Sequence, residues 1–218
     1  ASAASDVYKR QSNDSGHDLA ARTTTQPNPR PVLIVLHGLA GCADADNVIA
    51  TAAKGYALGF DIVRVDLRNT QANDTPSLGV GHAGRSEDLR ATIRHIEEQV
   101  PGAPITVIAF SMGGNITLKA LGEYGQMPPK DLRAAATISV PIDLDRACTA
   151  IDERRENWIY RRYFLKRLKS RYLNARQQRP DLFHAIDVDV HGQLGDIQVG
   201  EVHLLNRRVS ARPLLREP

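Results

Sequence analysis

The sequence predicts an α/β fold, a mostly parallel sheet with helices packed on its faces, and three observations carry that expectation. Short aliphatic and β-branched runs alternate with amphipathic stretches of helical period between residues 31 and 140. The runs are continuously apolar, as strands buried on both faces of a parallel sheet are. Their order, strand and helix in turn and ending on a fourth strand, is that of right-handed βαβ crossovers.

Val32-Leu33-Ile34-Val35-Leu36 is the first such run, and it stops at His37-Gly38-Leu39-Ala40-Gly41. An Ala-rich helix is expected over residues 44–58, with Gly59 as its natural stop. Residues 61–67 read as the second strand. A polar loop containing Pro76, Gly79, Gly81 and Gly84 leads to a helix over 86–99, where Leu89, Ile93, Ile96 and the adjoining Val100 share one face. Pro101-Gly102 ends that helix, residues 105–109 make the third strand, 113–124 a helix and 134–140 the fourth strand. After Pro141 the period becomes helical, with Trp158, Leu165, Leu168 and Tyr172 on one face among basic residues.

The chain has 218 residues, of which 24% are charged and 42% hydrophobic, enough for one domain with a buried core and a tail. No apolar run approaches the roughly 18 residues of a membrane-spanning helix. Composition also argues against a collagen, a coiled coil or a wholly disordered chain. Cys42 and Cys148 lie far apart and outside metal-ligand spacing, so neither a disulfide framework nor a metal site is expected. Residues 1–30 are polar and without sustained period, which predicts a mobile leader with a short strand near 18–24. They contain no apolar signal-peptide core. Residues 181–218 read as a divergent tail with one candidate strand at 199–205.

Charge is unevenly placed. Residues 152–179 carry ten Lys/Arg and three acids, a net +7 in a chain whose total is +3. A solvated helix face is the ordinary reading of such a run. Contact with an anionic membrane surface is the functional one. Nucleic acid is not expected as a partner, because no recognised binding motif accompanies the charge.

The chemistry-bearing signal is Ala109-Phe110-Ser111-Met112-Gly113-Gly114, between an expected strand and an expected helix. A nucleophile elbow needs small residues two before and two after its serine, because the turn is tight and strained. Here Ala109 and Gly113 fill those places. The Met112 N–H would face a substrate oxyanion, with the helix N-terminus adding positive potential. A plain glycine-rich turn or a phosphate cradle is the alternative, and neither requires a serine at the tip. In this topology the loop His37-Gly38-Leu39-Ala40-Gly41 supplies the second oxyanion N–H, from Leu39. His37 precedes the serine, whereas the base of such a site follows it, so His37 reads as structural.

These residues resemble the α/β-hydrolase superfamily, and within it the YheT-like branch of serine esterases. The resemblance rests on Val35-Leu36-His37-Gly38-Leu39-Ala40-Gly41, Asp66-Leu67-Arg68-Asn69, Thr75-Pro76-Ser77-Leu78 and His82-Ala83-Gly84-Arg85-Ser86-Glu87-Asp88-Leu89. It extends through residues 109–117, Ser139-Val140-Pro141-Ile142-Asp143-Leu144 and the basic run 160–169, covering roughly residues 31 to 180. It implies an α/β-hydrolase core over 31–180 with a helical basic cap from 143. It also implies Ser111 as catalytic nucleophile, Met112 and Leu39 as oxyanion hole, and small-molecule medium-chain or lipid esters as substrates. No metal or cofactor is implied. A cytoplasmic protein, peripheral to membranes through residues 152–179, is the expected setting. Five of the ten aromatic residues outside the leader lie in the basic run, where they would line an acyl pocket or pack as ordinary core.

Two departures qualify the resemblance. Asn69-Thr70-Gln71-Ala72 stands where related proteins carry a Cys/Gly-rich turn. The family's Asp-Asp-Pro and His-Gly-Gly-His segments, which bring the acid and base, have no counterpart, so the fold is expected to be incomplete at the C-terminus. Asp189 or Asp196 with His203 has the chain order such a triad requires, although nothing around them resembles the family's segments. The competing expectation is a hydrolase-like scaffold without a triad, serving as a binding or assembly subunit.

Overall fold

The structure, a computed structural model, describes residues 6–12, 18–24, 30–68, 70, 81–178 and 180. The chain order is β1 (Asp6–Ser12), β2 (Asp18–Thr24), β3 (Val32–Leu36), α1 (Asp46–Ala57), β4 (Asp61–Asp66), α2 (Ser86–Gln99), β5 (Ile105–Phe110), α3 (Met112–Tyr124), β6 (Leu132–Ile138), α4 (Leu144–Glu153), a 3₁₀ turn (Arg155–Asn157) and α5 (Trp158–Gln178). Two compact units divide between Ile142 and Asp143.

In the first unit the strands form one sheet in the order β1-β2-β4-β3-β5-β6. The four strands from β4 to β6 run parallel, and β2 and β1 add antiparallel at one edge. The continuous apolar run at β3 has the cause the sequence suggests, since it lies at the centre with every residue at 3% exposure or less. Its side chains alternate between two cores. Val32, Ile34 and Leu36 join Leu89, Ile93 and Ile96 of α2 and Met112, Ile116 and Ala120 of α3. Leu33 and Val35 face Val48 and Ala52 of α1.

Two elements differ from the sequence expectation. The stretch read as a leader holds two strands, β1 as well as β2. Asp6–Ser12 lacks the apolar alternation that marks a strand, and its pairing with β2 is a matter of tertiary context. β6 begins and ends two residues earlier than 134–140, because Ser139 turns to a positive φ of 53° and stops the ladder. β6 is also largely exposed, with a bulge where Thr106 pairs with Ala134 while Ile105 pairs with Leu132. The tail from 181, with its expected strand at 199–205, lies outside the described residues.

In the second unit, α4 is capped by Asp143, whose Oδ1 accepts the Arg146 N–H at 2.9 Å. On α5, Leu168 and Tyr172 are buried, but Trp158, expected on the same face, is 60% exposed. Helical side chains lean back over the preceding turn, and Trp158 is the first residue of α5 with no α-helical turn beneath it. Among the described residues no helix is long and apolar enough to cross a membrane.

Candidate active site

From β3 the chain steps to β4 on one side and later to β5 on the other, so a topological switch point falls between β3 and β5. Parallel α/β sheets leave a crevice beyond the C-terminal strand ends at such a point. Register pairs Leu36 with Ala109, which brings the His37 loop and Ser111 to that crevice side by side. A β-carbon on Gly38 would stand 3.0 Å from Ser111 Cβ and 3.6 Å from Ser111 Oγ.

Ser111 is held at φ 49°, ψ −117°, a backbone conformation that side-chain-bearing residues rarely adopt and that costs about 1–3 kcal/mol. The surroundings fix it. Its N–H donates to the Ile138 carbonyl at 2.9 Å, and its own carbonyl accepts from the N–H groups of Gly114 at 2.8 Å and Asn115 at 3.2 Å. Those last two bonds start α3, so the serine heads the positive end of a helix. Ala109 is fully buried, and Gly113 lies against β3 where a β-carbon would meet the His37 carbonyl at 2.6 Å. The two small positions flanking the serine therefore have a direct steric reason.

His37 is fully buried and both ring nitrogens are engaged by backbone. Nε2 accepts the Leu67 N–H at 3.1 Å, and Nδ1 donates to the Gly38 carbonyl at 2.7 Å. Since an amide can only donate and a carbonyl can only accept, the imidazole is the neutral Nδ1–H tautomer. The same Gly38 carbonyl accepts from Gly41, closing the turn in which Ala40 has φ 60°. Leu39 is half-buried against the core cluster that contains Met112. Among the described residues, no hydrogen bond is donated by the N–H of Leu39 or Met112.

Sequence reading gave no role to the ion pair that anchors the loop after β4. Arg68 and Asp88 are each 1% exposed and meet in a fork, Nε to Oδ2 at 2.8 Å and Nη2 to Oδ1 at 2.5 Å. Glu87 stands 3.8 Å from the same guanidinium and pairs with Arg85 at 2.9 Å. His82 belongs to this cluster. Burial first, then the charge of Arg85, lowers its pKa to about 4, so the ring is neutral near pH 7. Its Nδ1 accepts the Gly84 N–H at 3.1 Å. The partners are 20 residues apart in sequence, and an Arg and an Asp at that distance carry no signal of pairing.

Residues 69 and 71–72, where the sequence departs from the family, and Asp189, Asp196 and His203 lie outside the described residues.

Comparison with known proteins agrees with this geometry. The model of the alpha/beta hydrolase fold family matches residues 31–184. Phospholipase ABHD3 of Mus musculus is 32% identical over 136 residues, which is 62% of this chain and 32% of that protein. YheT of Escherichia coli, an esterase by name, is 30% identical over 157 residues, 70% of this chain and 44% of its own length. This chain thus spans less than half the length of these relatives. Among solved structures, the Pyrococcus furiosus esterase Pf2001 superposes with a TM-score of 0.58 over 95% of this chain and 91% of that one, at 15% identity, a likeness of fold. By the family match and by the strained serine at the sheet's switch point, the chain belongs to the α/β-hydrolase fold family.

Proposed function

We propose that this chain carries the nucleophile and oxyanion hole of a serine hydrolase acting on carboxyl esters. The observation that carries the reading is Ser111, strained at φ 49°, ψ −117° at the head of α3 and beside the Gly38 turn. Such strain persists where the surrounding structure over-determines it, and an elbow that presents a hydroxyl into a crevice is its use.

In the proposed reaction Ser111 Oγ forms a bond to the ester carbonyl carbon while its proton passes to a base. The carbonyl electron pair moves onto oxygen, where the N–H groups of Met112 and Leu39 receive it. Collapse of the tetrahedral intermediate breaks the bond to the alkoxy oxygen, which leaves as the alcohol with that proton. Water then attacks the acyl-serine and releases the acid. His37, with both nitrogens engaged by backbone, does not serve as the base. In this fold the base follows the nucleophile, and His203 with Asp189 or Asp196 has that chain order.

The relatives are named phospholipase and esterase, which favours medium-chain or lipid esters as the substrate class. Residues 31–180 would make up the α/β-hydrolase core, with the basic helices from 143 as its C-terminal part. α5 carries seven Lys/Arg and no acid, and Trp158, Ile159, Tyr160 and Tyr163 are each at least 47% exposed. Cations at an anionic leaflet contribute about 1 kcal/mol each, and exposed aromatic residues favour its interface. A cytoplasmic enzyme peripheral to an anionic membrane surface is the setting this favours.

Trapping the acyl-enzyme tests the reading. The protein is mixed with p-nitrophenyl butyrate, quenched in acid and digested. An acyl mass increment on the peptide containing Ser111, missing in Ser111→Ala, is the expected result. Acylation elsewhere, with Ser111 unmodified, contradicts it.

A further inference from the structure

Two non-glycine residues at neighbouring strand ends share a positive φ, Ser111 at 49° and Ser139 at 53°. Register pairs Phe110 with Ile138, so both serines leave the sheet at the same level on adjacent parallel strands. The first is the elbow. The second begins a turn, Ser139-Val140-Pro141, which the reaction above does not use.

That turn is fastened to the elbow at three points. The Ile138 carbonyl accepts the Ser111 N–H at 2.9 Å. Val140 lies over Gly114, where a β-carbon would meet Val140 Cγ2 at 2.3 Å and Thr137 Cβ at 3.3 Å. The Asn115 side chain donates from Nδ2 to the Pro141 carbonyl at 2.9 Å. A carbonyl only accepts, so that bond fixes which end of the amide faces the turn. Asn115 Oδ1 is buried without a partner among the described residues, which leaves the Nδ2 bond to hold the side chain.

A strained turn relaxes unless its neighbours prevent it. Pro141 restricts Val140 to extended conformations, so relaxation of Ser139 must move the strand end before it or the turn after it. In that turn Asn115 grips the Pro141 carbonyl, two residues beyond Ser139. The strand end before it is Ile138, whose carbonyl holds the Ser111 N–H.

We propose that Asn115 is a positioning residue for Ser111. Its amide clasps the turn leaving β6, the clasped turn keeps the Ile138 carbonyl on the Ser111 N–H, and that bond holds the elbow in its strained conformation. The consequence for catalysis rests on the reading of Ser111 as nucleophile; the structural coupling does not.

The test uses the whole chain with Asn115→Ala and Asn115→Leu, the second near-isosteric and without a donor. Two quantities are read, the hydrogen-exchange rate of the Ser111 amide against those of Val107 and Ala109, and the rate at which a fluorophosphonate labels Ser111. In both variants the Ser111 amide is expected to exchange at least about tenfold faster while Val107 and Ala109 keep their rates. Labelling should slow by about ten- to a hundredfold, the scale of a misplaced reacting group. Unchanged Ser111 exchange in the folded variants overturns the proposal. So does a uniform rise along β5, which would mean a general loss of stability. Local acceleration at Ser111 in the variants, with a wild-type protein that takes no label, upholds the clasp and removes the nucleophile reading instead.

Discussion

Gly113 and His37 are packed so closely that a β-carbon on the glycine would stand 2.6 Å from the His37 carbonyl oxygen, with Leu36 Cβ at 2.9 Å. The first turn of α3 therefore rests directly on the exit of β3. The obstructing atoms are backbone and a buried Cβ, which cannot move aside as the tip of a long side chain would. The contact couples the two halves of the candidate site, the loop with the Leu39 N–H and the elbow with Ser111.

Gly113→Ala accordingly should separate those halves. Overpacking in a rigid interior costs about 1–3 kcal/mol, and the urea midpoint is expected to fall by a corresponding amount. Fluorophosphonate labelling of the fraction still folded should fall more steeply than stability, because the Met112 and Leu39 N–H groups proposed as oxyanion donors would move relative to Ser111. Wild-type stability and labelling together would show that α3 is free to lift from β3.

Arg68 and Asp88 form a buried fork, and truncating one partner strands the other charge. Arg68→Ala is expected to destabilise the protein by about 3–5 kcal/mol, whereas Arg68→Met combined with Asp88→Leu should lose much less. A double-mutant cycle by chemical denaturation reads the difference. Equal losses in the single and double variants would contradict the account of the loop's anchorage.

Acid should weaken the fold through His82. Folded His82 titrates at about 4 against 6.5 for the free side chain, because it is buried beside Arg85 and Arg68, with Glu87 and Asp88 opposing in part. Between those values the unfolded chain binds the extra proton, so stability rises with pH there. The contribution is complete above pH 6.5 and declines as pH falls toward 4. Burial pushes the Glu87 carboxyl up, but hydrogen bonds from Arg85 and backbone, with the charges of Arg85 and Arg68, outweigh it and hold the group below its usual value, which adds a loss in the same direction as pH falls further. The urea midpoint should therefore drop between pH 7.5 and 4.5, and drop less in His82→Asn. Parallel pH profiles for the two proteins would exclude His82 as the source.

Charge on α5 should govern any lipid contact. Co-sedimentation with vesicles of phosphatidylcholine and phosphatidylserine is expected to exceed that with phosphatidylcholine alone and to fall as salt is raised. Lys166→Glu with Arg167→Glu should weaken it, both positions being exposed. Equal binding to neutral and anionic vesicles would remove the electrostatic part of the proposal.

What could be read from the sequence divides along physical lines. β3, α2 and the elbow were legible because their determinants are local: a continuous β-branched run, a helical apolar face over Leu89, Ile93 and Ile96, and small residues flanking a serine. Ser86–Gln99 is bounded as expected, since Pro101-Gly102 punctuates it. The structural part of His37 was legible from chain order alone. Long-range pairs were not, because Arg68 with Asp88 and Asn115 with Pro141 are joined across 20 and 26 residues by contacts that no periodicity encodes. The end of β6 was missed because Ser139 has ordinary strand neighbours, and its positive φ opens a turn whose contacts with Gly114 and Asn115 lie more than 20 residues away in sequence. Trp158 was placed on an apolar face by spacing, which does not register that a helix has a first turn.

The central claim is that Ser111 is an activated nucleophile, and fluorophosphonate labelling with mass mapping tests it most directly. The 218-residue chain and Ser111→Ala are exposed to the probe, and the fold of each is verified by circular dichroism. The account predicts a single phosphonylated residue, Ser111, with labelling lost in the variant. A folded protein that takes no label, or takes it equally in Ser111→Ala, would contradict it.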